Sequence, residues 1–209
     1  LHRDKENTLK VIATDALCLD YPYGKQTNHP SGMWYTPVSG IWQNVWLENV
    51  PDTYVTKIRM NTNLEQVELL IEYNHDTSAT EVFEVSVALP NGKTLTQAFA
   101  NKRGIISIPN PIHWSPEHPH LYDITVRAGE DIFDSYFALR TIGIESIDNI
   151  KRVCLNHQPI FLHGVLDQGY FHDGLFLPKE EAGYDLDIQN MKELGFNLLR
   201  RHIKIEPDY

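Results

Sequence analysis

The chain has 209 residues, 42% of them hydrophobic and 22% charged, a balance ordinary for a soluble globular protein of one or two domains. Its net charge of −10 works against nucleic acid and against anionic membrane surfaces, since both demand clustered Lys and Arg. No apolar run approaches the roughly 18 residues of a membrane span, and Cys18 and Cys154 form no C-x-x-C pair, which argues against a cysteine metal site.

The first fifty residues read as β structure with long loops. Leu9, Val11 and Ala13 alternate with Thr8 and Lys10, so Thr8 to Ala13 is a candidate strand. A loop rich in Pro, Gly and polar residues follows, from Tyr21 to Pro37. Ile41 to Glu48 reads as a strong strand, with Trp42, Asn44 and Trp46 on one face and Ile41, Val45 and Leu47 on the other. Too few strands precede Gly40 to close a sandwich, so residues 1–50 are expected to be the C-terminal remnant of a β domain. Both cysteines lie in apolar alternating runs and are expected to be buried free thiols, which leaves the compartment open.

From Pro51 to about Gly143 the hydrophobic period is two. Val67, Leu69, Ile71 and Tyr73 share a face, as do Phe83, Val85, Val87 and Leu89, and Tyr122, Ile124 and Val126. Turn signals at Asn91-Gly92, Lys102-Arg103-Gly104 and Gly129-Glu130-Asp131 separate these runs. About seven short strands without a helical pattern predict an immunoglobulin-like sandwich over residues 51–143. His113, His118 and His120 lie close in sequence, but in an irregular segment without a cysteine, and no metal site is expected there.

After Ile144 the pattern changes. Asn156-His157-Gln158 reads as the turn of a hairpin, and His163 to Gly169 as a buried strand. Pro178 to Leu194 is a helix whose Tyr184, Ile188, Met191 and Leu194 follow the 3.6 period, with Gly195 at its C′ position. Gly183 weakens its start. Phe196 to Leu199 reads as a second buried strand. Strand, helix and strand predict a parallel βαβ unit, and the closing stretch from Phe196 to Pro207 delivers Arg200, His202, Lys204 and Glu206 at a strand tip.

Five segments then fall into one pattern: Ser39 to Glu48, Trp114 to Tyr122, Phe137 to Gly143, Leu155 to Val165 and Met191 to Arg200. In this order they resemble the glycoside hydrolase family 2 of β-galactosidases, β-glucuronidases and β-mannosidases. The resemblance implies a mainly β fragment: the end of a jelly-roll sugar-binding domain (1–50), an immunoglobulin-like domain (51–143) and the start of a (β/α)8 catalytic barrel (144–209).

In such barrels chemistry sits at the C-terminal ends of the strands. The resemblance therefore implies substrate-side roles for Asp167, Gln168 and Tyr170 after the first strand, and for Arg200, His202 and Lys204 after the second. Arg200 matches the family's strand-2 arginine, which lies near the nucleophile. Asp167 to Tyr170 departs from the Arg-His-Glu run of galactosidases and glucuronidases, and His202 follows Arg200 at a spacing one residue shorter than in the family.

The family is retaining and uses two Glu residues that are expected beyond Tyr209, so no catalytic residue is assigned here and the fragment is expected to be inactive. A carbohydrate is the expected substrate of the parent enzyme, with no cofactor, no nucleic acid and no membrane partner. Self-association through exposed domain remnants is expected of the isolated chain. The targeting segment is expected to be missing, so localisation stays open, periplasmic and secreted included. The alternative is a non-catalytic carbohydrate-binding or adhesion module built on the sandwich.

Overall fold

A computed structural model describes residues 4–20, 23–75, 82–202 and 205–206. Two compact units emerge, one formed by Glu48–Phe161 and the other by Leu1–Leu47 together with Leu162–Tyr209.

In the unit Glu48–Phe161 the period-2 pattern becomes seven strands. They are β1 (Val55–Thr62), β2 (Gln66–Tyr73), β3 (Phe83–Ala88), β4 (Thr94–Phe99), β5 (Arg103–Ser107), β6 (Tyr122–Ala128) and β7 (Asp131–Phe137). Two antiparallel sheets form, one ordered β1-β2-β5 and one ordered β4-β3-β6-β7. Their inward residues make one core: Val67, Leu69 and Ile71 of one sheet, with Phe83, Val85, Val87, Tyr122, Ile124 and Val126 of the other, all fully buried. Burying a side chain of this kind contributes about 1.5–3 kcal/mol, so the alternation is what makes the fold a sandwich. The chain is mainly β, as the pattern predicts.

Tyr122 opens β6, and its hydroxyl accepts the Ile112 N–H at 2.7 Å. This ties the connection before β6 to the core, in the manner of the tyrosine corner of immunoglobulin-like domains. Asn156 makes a second tie. Its side chain donates to the Trp114 carbonyl at 3.0 Å and accepts from the Thr141 N–H at 3.0 Å. His113 bonds the Leu64 carbonyl through Nε2, and His120 meets the Tyr122 ring edge-on. Among the described residues no three His, Cys, Asp or Glu side chains gather as metal ligands.

Strands β8 (Ile142–Ile147), β9 (Ile150–Leu155) and β10 (Gln158–Pro159) form a separate antiparallel sheet. Both of its turns are two-residue loops with positive φ throughout, at Asp148-Asn149 and Asn156-His157. That conformation belongs to tight hairpins and suits Asn and Asp. The Asn156-His157 hairpin is the one the sequence predicts; the one at Asp148-Asn149 was not anticipated.

In the second unit, β11 (Gly164–Asp167) runs parallel to β12 (Leu198–Arg201), with α1 (Ala182–Glu193) between them in sequence. The predicted βαβ unit forms, with three corrections. Its strands are half-exposed rather than buried, and no residue of α1 is buried. The second strand is Leu198–Arg201 rather than 196–199, because Asn197 is drawn into paired hydrogen bonds with the His163 backbone just ahead of the ladder. The helix begins at Ala182 rather than Pro178, because Gly183 and Tyr184 bond back to Glu180 and Glu181 in tighter i+3 turns. Gly195 at φ 85° ends it as expected.

Two predicted strands of this unit do not form. Residues 8–13 and 41–48 carry no ladder, and Leu9, Val11, Ile41, Val45 and Leu47 are exposed. Alternation specifies a strand only where a partner edge and a core face receive it, and the described residues supply neither. Cys154 is buried and Cys18 only half-buried, both as free thiols.

Candidate functional site

The candidate residues lie in the unit formed by Leu1–Leu47 and Leu162–Tyr209, at the C-terminal ends of β11 and β12. Parallel register sets Gly164 against Leu198, Leu166 against Arg200 and Asp167 against Arg201. Gly164 is required there, because a Cβ would press into the Leu198 carbonyl oxygen and Cβ. Pleating then sorts the side chains. Val165, Asp167, Leu199 and Arg201 share one face, where the Arg201 guanidinium lies over the ring of Tyr184 from α1 at 5.9 Å. Leu166, Leu198 and Arg200 take the opposite face, and Arg200 is exposed.

Asp167 is engaged on the helix side. One carboxylate oxygen meets Arg201 Nη1 at 2.6 Å, and the other accepts the Gly169 N–H at 2.8 Å. Gly169 has φ 69°, where a side chain would be strained. The turn it makes releases Gln168 and Tyr170 from the strand. The His202 N–H donates to the Asp167 carbonyl at 2.9 Å and so continues β12 past its last ladder residue.

Gln168, Tyr170 and His202 meet around Tyr35. The Tyr35 hydroxyl donates to Gln168 Oε1. Its ring stacks on Tyr170 with centroids 5.1 Å apart and presents to His202 at 6.5 Å. The Tyr170 hydroxyl donates to the Thr36 carbonyl at 3.3 Å. Burial raises the pKa of Tyr170 above its ordinary value, with the neighbouring Tyr35 adding to the rise. Tyr170 therefore remains a neutral donor across the physiological range.

Tyr35 is held by backbone bonds to Lys25 and Thr27, in a loop that Gly24 and Lys25 turn with positive φ. Phe176 bridges from the edge of Tyr170 at 5.8 Å to Trp42 at 4.9 Å. Beside them opens a cleft of about 550 Å³ lined by Trp42, Phe176, Tyr23, Asp15, Ser39 and Gln26. Ser39 donates to Asp15 in its wall at 2.7 Å. Trp42 is half-buried and Trp46 is exposed.

Of the six residues expected at the site, Gln168, Tyr170 and His202 come together. Asp167 and Arg200 sit on opposite faces of the two-stranded sheet, and Lys204 lies outside the described residues. Tyr35, Phe176 and Arg201 were not anticipated. A Trp-Tyr pair inside the 21–37 loop was the available signal for Tyr35. Nothing in the spacing separates Arg201 from Arg200, since only the register against β11 tells which face each takes.

The described residues thus give a two-sheet sandwich followed in sequence by a parallel βαβ unit with an aromatic and amide cluster at its strand ends. Residues 52–144 match the family described as Glycosyl hydrolases family 2. The chain is 27% identical over 191 residues to a beta-galactosidase of Thermoanaerobacter pseudethanolicus, a match covering 79% of this chain and 24% of that protein. It is 28% identical over 142 residues to a beta-glucuronidase of Canis lupus familiaris, covering 61% and 21%. A solved structure of Faecalibacterium prausnitzii beta-glucuronidase shares the fold with a TM-score of 0.60 at 19% identity, over 72% of this chain and 24% of that one. The family match thus falls on the sandwich, and the chain spans about a quarter of the length of the curated relatives it matches.

Proposed function

We propose that this chain is the sandwich and barrel-entry portion of a retaining glycosidase that hydrolyses O-glycosidic bonds of β-linked sugars. In this reading residues 1–50 end a jelly-roll sugar-binding domain, 51–143 are the immunoglobulin-like spacer, and 144–209 begin a (β/α)8 catalytic barrel. The observation that supports it most is the parallel β11-α1-β12 unit with Gln168, Tyr170 and His202 gathered at its strand ends, the end at which such barrels do their chemistry. Similarity to a beta-galactosidase and to beta-glucuronidases supports the substrate class.

Gln168, Tyr170 and His202 contact the sugar in this proposal, with hydroxyl, amide and imidazole groups suited to a polyhydroxylated ring. Arg200, on the face away from α1, holds a catalytic carboxylate in its ionised form. Retaining hydrolysis needs an acid and a nucleophile about 5–5.5 Å apart. Asp167 and Glu206 do not serve, because each holds Arg201 on the helix side. By the family resemblance, the proposal takes the two carboxyls from barrel strands that this chain does not include and holds the 209-residue chain alone to be inactive.

The test is hydrolysis of aryl β-glycosides by the complete gene product. Turnover with retained anomeric configuration supports the reading. A complete product that binds sugars without hydrolysing any of them points instead to a binding module.

A further inference from the structure

We propose that Arg201 is the positioning residue of this site, a cation that locks together the two loops carrying its sugar-contacting groups. The inference rests on the functional reading above for its consequence, though not for its geometry. Arg201 engages three segments. Its Nη1 meets Asp167, at the end of β11, at 2.6 Å. Its Nε meets Glu206, beyond β12, at 2.6 Å. Its planar group lies over Phe171 at 5.8 Å and Tyr184 at 5.9 Å. Glu206 is fixed from the other side by the Tyr184 hydroxyl at 2.8 Å.

All three ionised side chains are only about a quarter exposed, at 23% for Arg201, 22% for Asp167 and 25% for Glu206. Water screens them less than it screens a surface pair. One cation faces two carboxylates, so deleting it leaves two half-buried negative charges without their partner.

The path to the site is short. The Asp167 oxygen not bound to Arg201 accepts the Gly169 N–H that sets the turn before Tyr170. The Asp167 carbonyl accepts the His202 N–H. Fixing Asp167 thus fixes Gln168 and Tyr170 on one loop and His202 on the other. Arg201 itself lies on the helix face and does not reach the sugar. The guanidinium sits as a cation between the two carboxylates, within ion-pair distance of each.

The experiment is a set of variants in the complete gene product: Arg201→Met, Arg201→Lys, Glu206→Gln and Arg201→Met with Glu206→Gln. Arg201→Met is expected to lower kcat/KM by about 100-fold, the loss a displacement of about 1 Å produces. Arg201→Lys is expected to regain part of that loss with an unchanged unfolding midpoint. Adding Glu206→Gln to Arg201→Met is expected to cost little more, because the shared contact is already gone. Losses that simply multiply, or an Arg201→Met enzyme within about threefold of the parent, overturn the proposal.

If the unmodified protein hydrolyses no glycoside, the functional reading has failed. The clamp is then judged by amide hydrogen exchange in the same proteins. Faster exchange at Gly169 and His202 in Arg201→Lys and Glu206→Gln upholds the clamp, and unchanged exchange overturns it.

Discussion

Single side chains carry two consequences that can be measured. Tyr122 is fully buried, and its hydroxyl satisfies the Ile112 N–H. Tyr122→Phe keeps the ring and strands that donor, at a cost of about 1–3 kcal/mol. The unit Glu48–Phe161 should then melt several degrees lower, at about 4–8 °C per kcal/mol. A midpoint unchanged to within about a degree would show that the corner contributes nothing.

Tyr170 supplies a pH prediction. Its folded pKa lies above the ordinary 10.0, chiefly through burial. The folded state therefore holds the proton more tightly than the unfolded state does. That contribution to stability is complete below pH 10.0 and is lost as pH rises through the folded value. Tyr170→Phe should remove a late-ionising component from the ultraviolet titration of the protein. Tyr122 and the core were legible as period-2 positions. Tyr170 was legible as a candidate, but its partner Tyr35 was not, because a loop residue acquires its neighbours only from tertiary structure.

Among the elements, the sandwich strands matched their sequence pattern, while β11 and β12 pair as expected but stay half-exposed, and the runs that find no partner among the described residues form no strand. The runs in β2, β3 and β6 became buried faces because each finds a neighbouring strand and an opposing sheet. Residues 8–13 and 41–48 alternate just as cleanly, yet make no ladder and leave their apolar side chains exposed. The helix start moved because local i+3 bonding around Gly183 outcompetes a pattern that begins at a proline.

Gly164 makes the parallel pair testable. Gly164→Ala places a methyl group against the Leu198 backbone, which is less able to yield than a side-chain tip, and overpacking of this kind costs about 1–3 kcal/mol. Amide protection at Val165–Asp167 and Leu199–Arg201 should fall in that variant. Full retention of protection would mean that the two strands separate without penalty.

For the whole molecule, exposed apolar side chains and proposed function lead to one account. Leu9, Ile12, Trp46 and Leu47 in one unit, and Ile142, Ile144 and Phe161 in the other, are more than 65% exposed. Exposed apolar surface on this scale marks an interaction surface, and the isolated 209-residue chain is expected to associate with itself as concentration rises. Light scattering that finds a monomer at every concentration would contradict this.

The central claim is that this segment frames a glycosidase site without holding its catalytic carboxylates. Steady-state hydrolysis of a panel of aryl β-glycosides, run in parallel on the complete gene product and on the 209-residue chain, tests it most directly. The account predicts turnover with retention by the complete product and none by the chain above a buffer blank. Turnover by the chain, or inversion or inactivity in the complete product, would contradict it.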